Sequence, residues 1–159
     1  MQGVMTISFD YRALREATAR CPPRPGLRII RHRGDPAVGG ALVRYAGWLR
    51  KNYDFPVRVP VYLRPGNHLV TRERHIASAS FFAPFDLRVE PYIRIATGDY
   101  PVLKKQCGRD NALAQYIHSL SHELIHYWQW LETGTTWEAG VVVRATGMLR
   151  KYEKCVDHP

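Results

Sequence analysis

Cysteine is scarce in this chain, and its three copies are poorly placed for cross-links. They stand at positions 21, 107 and 155 of 159 residues. So small, odd and widely spaced a set argues against a disulfide framework and against a metal site built from cysteines. Long hydrophobic runs are missing too, since no stretch approaches the roughly 18 apolar residues of a membrane-spanning helix. The first residues show no basic start followed by an apolar stretch, so no standard signal peptide is indicated. We therefore expect a cytoplasmic protein without membrane association.

The length and composition of the chain predict one globular unit. Its 159 residues are 45% hydrophobic and 23% charged, which is typical of a soluble domain with a core of its own. We expect a single domain over residues 1–159. Residues 1–26 form its N-terminal part, with a short helix at residues 10–20 and a lead-in broken by Pro22, Pro23 and Pro25.

Positive charge dominates the chain, with a formal net charge of +9. Residues 1–110 hold 19 of the 23 Lys and Arg residues, but most stand at scattered single positions. The pattern indicates a solvated surface, with at most weak, non-specific and salt-sensitive binding to nucleic acid. Two local basic spots stand out: Arg28, Arg31, His32 and Arg33 in the first, and Arg72, Arg74 and His75 in the second.

Hydrophobic periodicity predicts an α+β fold with a small mixed sheet of three or four strands. Period-two or short apolar patterns indicate strands at residues 27–31, 57–63, 79–85 and 92–97. Helical spacing indicates helices at residues 39–51, 110–132 and about 136–154. Pro60, inside the second predicted strand, favours an edge position or a bulge, because proline has no N–H to donate.

Residues 122–126 read His-Glu-Leu-Ile-His, the pattern that carries the chemistry. Two histidines four residues apart on a helix share one face, so both imidazoles can bind one zinc ion, and the intervening Glu123 can reach a water molecule beside it. Leu113, Ile117 and Leu124 fall on the opposite, apolar face of the same helix. The competing interpretation is a helix whose histidines are merely solvated.

A third metal ligand must complete such a site, and few residues are available. His118 lies about 12 Å along the helix axis from His126, which is too far for one shared ion. Asp157 and His158 stand at the C-terminal end, and Glu132 points away from His126. The remaining candidate for the third ligand is Glu138, which we expect near the start of the last helix. Its rival role is a capping box, since residues 135–138 read Thr-Thr-Trp-Glu.

These residues resemble the gluzincin branch of the zincin metallopeptidases, and more narrowly the minimal single-domain gluzincins and small bacterial HExxH proteins. The resemblance covers about residues 110–153: residues 122–129, Glu138, and the spacing of Ala145, Leu149 and Tyr152.

The resemblance implies a zincin-like fold, in which the sheet packs on an active-site helix that a C-terminal glutamate helix follows. It implies one zinc ion per chain held by His122, His126 and Glu138, with Glu123 as general base. It also implies a peptide or protein substrate on the edge strand at residues 92–97. Tyr152 is the single candidate for a group that stabilises the transition state. A module associated with nucleic acid and a hydrolase of non-peptide amides are the alternative functions.

Overall fold

The computed structural model describes residues 24–86 and 89–159. The predicted helix at residues 10–20 and most of the lead-in lie outside these ranges.

The described residues form an α+β fold, as the sequence predicts. They contain four helices and six strands. In chain order these are β1 (Leu27–Ile30), α1 (Pro36–Asn52), β2 (Val59–Arg64), β3 (Leu69–Val70), β4 (Ile76–Ala77), β5 (Ala79–Phe82), β6 (Tyr92–Ala96), α2 (Tyr100–Cys107), α3 (Arg109–Thr133) and α4 (Val141–Glu153).

Four of the strands form one mixed sheet in the order β1-β2-β6-β5. Strands β1, β2 and β6 run parallel, and β5 pairs antiparallel with β6. The strand predicted at residues 92–97 is present as β6, but its predicted edge position is wrong, because β6 lies between β2 and β5. The edge beside the later helices is β5 instead. The short strands β3 and β4 form a separate hairpin that the periodicity did not predict.

Pro60 lies in a central strand, so the edge position predicted from it is also wrong. It stands opposite Arg28 of β1. Val59 donates its N–H to Gly26 on the β1 side, so the nitrogen of the next residue faces β6. The ladder to β6 begins only at Val61. The missing N–H of Pro60 therefore costs the sheet no hydrogen bond.

The two faces of the sheet differ sharply. On β2 and β6, Val61, Leu63, Ile93 and Ile95 are buried in the core. On the other face, Tyr62, Arg64, Tyr92 and Arg94 are only half-buried. The ring of Phe81 on β5 contacts the rings of Tyr127 and Trp130, so its side of the sheet packs on α3. The other face, which carries Tyr62, Phe82, Tyr92 and Arg94, points away from α3.

Helix α1 begins three residues before the predicted start at Gly39. Asp35 caps it, since its Oδ1 accepts hydrogen bonds from the N–H groups of Ala37 and Val38. Pro36 fits the first helical position, where no N–H is needed. Inside the core the Tyr45 hydroxyl lies 2.6 Å from the Ser121 hydroxyl and ties α1 to α3.

The helix α4 begins later than predicted, at Val141 rather than about residue 136. Gly134 ends α3 in the left-handed conformation, with φ of 75°, and Gly140 precedes α4 with φ of 79°. Both conformations favour glycine, which has no Cβ. The residues between them, including Glu138, therefore form a loop and not the first turn of a helix.

Candidate metal centre

The motif histidines, His122 and His126, lie on helix α3, which packs against the core. Helix α3 buries Leu113, Ile117, Leu120 and Leu124 completely against the core. Burial of such apolar side chains stabilises the fold by roughly 1.5–3 kcal/mol each. The motif histidines are thus fixed by a rigid element, as the predicted amphipathic pattern requires.

His122, His126 and Glu138 come together at one point. His122 Nε2 lies 3.2 Å from one carboxylate oxygen of Glu138, and His126 Nε2 lies 3.0 Å from the other. One ligand atom from each residue lies within 4.8 Å of the others, so the three could hold a metal ion. Two ligands about 2.0–2.1 Å from a tetrahedral ion are roughly 3.3 Å apart. The two separations between imidazole and carboxylate are close to that value.

Gln129 fixes the orientation of this centre. Its Oε1 accepts a hydrogen bond of 3.0 Å from the backbone N–H of Trp137, so the amide oxygen must face that way. The same oxygen lies 3.0 Å from Nδ1 of His126. Because Oε1 can only accept, Nδ1 must carry the proton of the neutral ring, which leaves the lone pair on Nε2. One side chain thereby sets the tautomer of His126 and holds the loop of Glu138.

A cation bound between His126 and Glu138 would suit this arrangement. In the neutral ring the Nε2 lone pair faces a carboxylate oxygen at 3.0 Å, and two acceptors repel each other at that distance. A cation bound between the two groups removes the conflict. Two imidazole nitrogens and one carboxylate suit a divalent transition metal, and an outer hydrogen bond such as that from His126 to Gln129 is common around such ions. The donor set therefore fits a metal ion.

The capping role of Glu138 is excluded by the start of α4. A capping box needs Glu at the third helical position, but Glu138 stands three residues before Val141, and no side chain caps this helix. The Glu138 side chain is 76% exposed, and its contacts here are the two imidazoles. Its position is explained by the site and not by the helix terminus.

Glu123 lies beside this centre without being part of it. The residue is 8% exposed and lines the same cleft as His126 and Glu138. Burial raises the pKa of its carboxyl to about 8, and the charge of Glu138 adds to the rise. A hydrogen bond from the backbone of Phe81 offsets part of it. A buried carboxyl that can exchange a proton near neutral pH is suited to general acid–base chemistry.

His122 is favoured in its neutral form, which is the form that binds metals. Burial lowers the pKa of its imidazole, and the neighbouring His126 lowers it further. The charge of Glu138 partly opposes this shift. The rings of His122 and His126 are 5.0 Å apart at their centres, as expected for residues one helical turn apart.

The remaining candidates lie elsewhere. His118 points to α4, where its Nε2 is 3.1 Å from the Thr146 hydroxyl. His158 lines a separate cavity near the C-terminus. Glu132 lines a cavity between α3 and α4. Tyr152 is buried, with its ring 4.8 Å from that of Tyr45, so the structure does not place it where it could assist the reaction.

The cleft around the centre has a volume of about 420 Å³. One of its walls was not predicted from the sequence. Strand β5 forms one side. The turn between β3 and β4 contributes Arg72 and His75, and β6 contributes Arg94. The basic spot at residues 72–75 was visible in the sequence, but nothing there linked it to the histidine motif.

Chemistry rather than size singles out this cleft. A larger cavity of about 720 Å³ lies at the other side of α3, against Tyr53, Trp128 and Met148. Among the described residues, the His122, His126 and Glu138 cluster is the single group of three metal-ligating side chains found close together.

Comparisons with family models, with curated proteins and with solved structures find no match for this chain. In the described ranges, no helix combines the length and apolar character needed to span a bilayer.

Proposed function

We propose that this protein is a zinc-dependent metallopeptidase of the zincin type, related to the gluzincins. The observation that carries the proposal is the convergence of His122, His126 and Glu138 with Glu123 buried beside them. Two imidazoles and one carboxylate form the ligand set of a catalytic zinc site, which leaves a fourth position open. Glu123 is not one of the three donors, so it remains free for proton transfer.

When bound, zinc supplies polarisation of the scissile carbonyl and a lowered pKa for a water molecule in the site. His122, His126 and Glu138 would hold the ion, and Gln129 would keep His126 in the ligating tautomer. Glu123 removes a proton from the attacking water as the oxygen bonds to the carbonyl carbon. It then delivers that proton to the nitrogen as the C–N bond breaks. The short hydrogen-bonded loop and the buried helix keep these groups in place.

The edge strand β5 supports a peptide as the substrate. Ala96 donates its N–H to Ser78, so the pairs Ala79–Ile95 and Phe81–Ile93 are the ones that exchange no hydrogen bonds across β5 and β6. The carbonyl groups of Ala79 and Phe81 and the N–H of Ala79 therefore point to the open edge, where the N–H of Phe81 donates to Glu123. An extended peptide can add to such an edge as a further strand. Pairing there would bring its backbone past Glu123.

Metal content and hydrolysis test the proposal together. The purified protein, dialysed with zinc and then freed of excess, should contain about one zinc ion per chain. His122→Ala should lose the ion. His118→Ala is the matched control, because it removes a histidine from the same helix but outside the cluster, and it should keep the ion. Absence of zinc from the wild-type protein would refute the proposal.

Glu123→Gln completes the test, since Glu123 is proposed as the base and not as a ligand. This variant should retain zinc and fold but lose cleavage of unfolded casein, followed by release of new amino termini. Retained cleavage would show that the mechanism is wrong. Release of ammonia from small amides, without new peptide termini, would instead favour the non-peptide amide hydrolase. Zinc binding without either product, together with salt-sensitive DNA binding, would favour the module associated with nucleic acid.

A further inference from the structure

The turn between β3 and β4 is a well-defined wall of the cleft. Thr71 donates its N–H to the carbonyl of His75, and its hydroxyl oxygen accepts from the N–H of His75. The carbonyl of Thr71 accepts from the N–H of Arg74. Arg74 has φ of 63°, the one positive value among the described non-glycine residues. The hydrogen bonds hold the turn in this conformation and direct Arg72 and His75 into the cleft lining.

Arg72 is held in the cleft by an aromatic ring. Its guanidinium lies 4.7 Å from the centre of the Phe82 ring, a stacked cation–π arrangement. Within the described ranges no carboxylate lies within ion-pair distance of it, not even that of Glu73 in the same turn. The guanidinium is thus positioned, while its donors remain free to bind a ligand.

Arg94 lines the same cleft, and its Nε–H lacks an acceptor among the described residues. It stands opposite Ser80 on the adjacent edge strand, and both residues line the cleft. Its Nε is buried and has no hydrogen-bond partner in the part of the chain that the structure describes. A buried donor without an acceptor is costly, which favours a ligand that supplies one.

The geometry of a peptide on β5 connects both arginines to the substrate. In a strand paired with β5, successive side chains point to opposite faces of the sheet. One set faces α3 and the metal-ligating residues. The other set lies on the face of Ser80 and Phe82, where Arg72 and Arg94 stand. A carboxylate is the planar acceptor that a guanidinium binds best, through paired charge-assisted hydrogen bonds.

We propose that the cleft selects an extended peptide with a Glu or Asp side chain that is bound by Arg72 and Arg94, on the face away from the metal-ligating residues. This inference rests on the proposed peptidase function. The net charge of +9 is consistent with an acidic substrate.

Binding, measured apart from hydrolysis, tests this selection. The probes are fluorescein-labelled decapeptides of Ala, Ser and Tyr, in which one Glu is moved through every position, each paired with a peptide that has Gln at that position. Binding to the Glu123→Gln protein is followed by fluorescence anisotropy, with zinc and with a chelator. We expect the Glu peptide to bind about tenfold tighter than its Gln partner, at alternate positions along the peptide.

Arg72→Gln and Arg94→Gln should each reduce this ratio to below about threefold. Arg109→Gln, which removes the same charge from an exposed residue paired with Asp110, should leave the ratio unchanged. If Arg94→Gln does not fold, Arg72→Gln decides alone, because Arg72 is an exposed residue of a surface turn.

Equal binding of the Glu and Gln peptides at every position would overturn the inference, even if zinc binding and hydrolysis are found. A preference for Glu that survives Arg72→Gln would overturn it as well. Competition by a single-stranded oligonucleotide that is lost in the Arg72 and Arg94 variants, without discrimination between peptides, would assign the arginines to nucleic acid instead. Failure of zinc binding or hydrolysis would show in the earlier tests and leaves this binding ratio measurable.

Discussion

Replacing Glu138 with glutamine separates a metal ligand from a merely exposed loop residue. The substitution keeps the shape of the side chain but removes the anionic oxygen that lies 3.0 Å from His126 Nε2. Without that charge, the three-donor set is reduced to two neutral imidazoles and a weak amide oxygen. We expect the zinc affinity to fall at least tenfold, which corresponds to about 1.4 kcal/mol or more.

The stability of the metal-free protein should hardly change in Glu138→Gln. The Glu138 side chain is 76% exposed and caps no helix, since α4 begins at Val141. Its melting temperature in a chelator should therefore hardly move, whereas zinc should stabilise the wild type more than the variant by mass action. Competition with a chromophoric chelator gives the affinity, and thermal melts with and without zinc give the stability. Glu132→Gln is the matched control with the same charge change. Wild-type zinc affinity in Glu138→Gln would refute the assignment of this ligand.

Three further predictions follow from buried polar groups. The pKa of Glu123 is about 8 in the folded protein, above its value in the unfolded chain. Its contribution to the free energy of unfolding is therefore complete below the unfolded pKa and is lost as the pH rises through 8. In a chelator, Glu123→Gln should therefore gain stability relative to wild type between pH 5 and pH 9 in urea melts; a constant difference would contradict this. Gln129→Leu removes the acceptor for His126 and should weaken zinc binding by about 10–100-fold in the competition assay, whereas Gln129→Glu should not. Tyr127→Phe leaves the N–H and carbonyl of Val57 without their partner and should cost about 1–3 kcal/mol in urea denaturation, with or without metal; no loss would show that water replaces the hydroxyl.

The helix with the histidines was the most predictable part of the molecule. Its apolar residues recur with helical period over many turns, and its observed span of Arg109–Thr133 differs by only one residue at each end from the predicted 110–132. The four strands of the main sheet were also predicted, because their alternating or apolar patterns reflect the burial of one face. Spacing along one element also places His122 and His126 together, since i and i+4 meet on any helix.

The errors arise where tertiary contacts override local pattern. A helix was predicted from about residue 136, but Gly140 and the hydrogen bond from Trp137 to Gln129 keep residues 134–140 as a loop. Strand order cannot be derived from periodicity, so the position of β6 between β2 and β5 was missed. The hairpin β3–β4 was missed because its strands have only two residues each. Helix α2 was missed because it is largely exposed: Tyr100 is its one buried residue, so it lacks a clear apolar stripe.

Gln129 shows why the third ligand could be proposed from the sequence but not placed. Its position three residues after His126 allows a contact on the same helix, and that much is local. Its second contact, to the N–H of Trp137, depends on how the chain turns after Gly134. That contact joins the last turns of α3 to the loop that carries Glu138. The place of Glu138 beside the two histidines therefore depends on a tertiary contact that no local pattern encodes. Glu123 is buried beside the cluster and shares a helix with His122 and His126, so its place follows from local spacing instead.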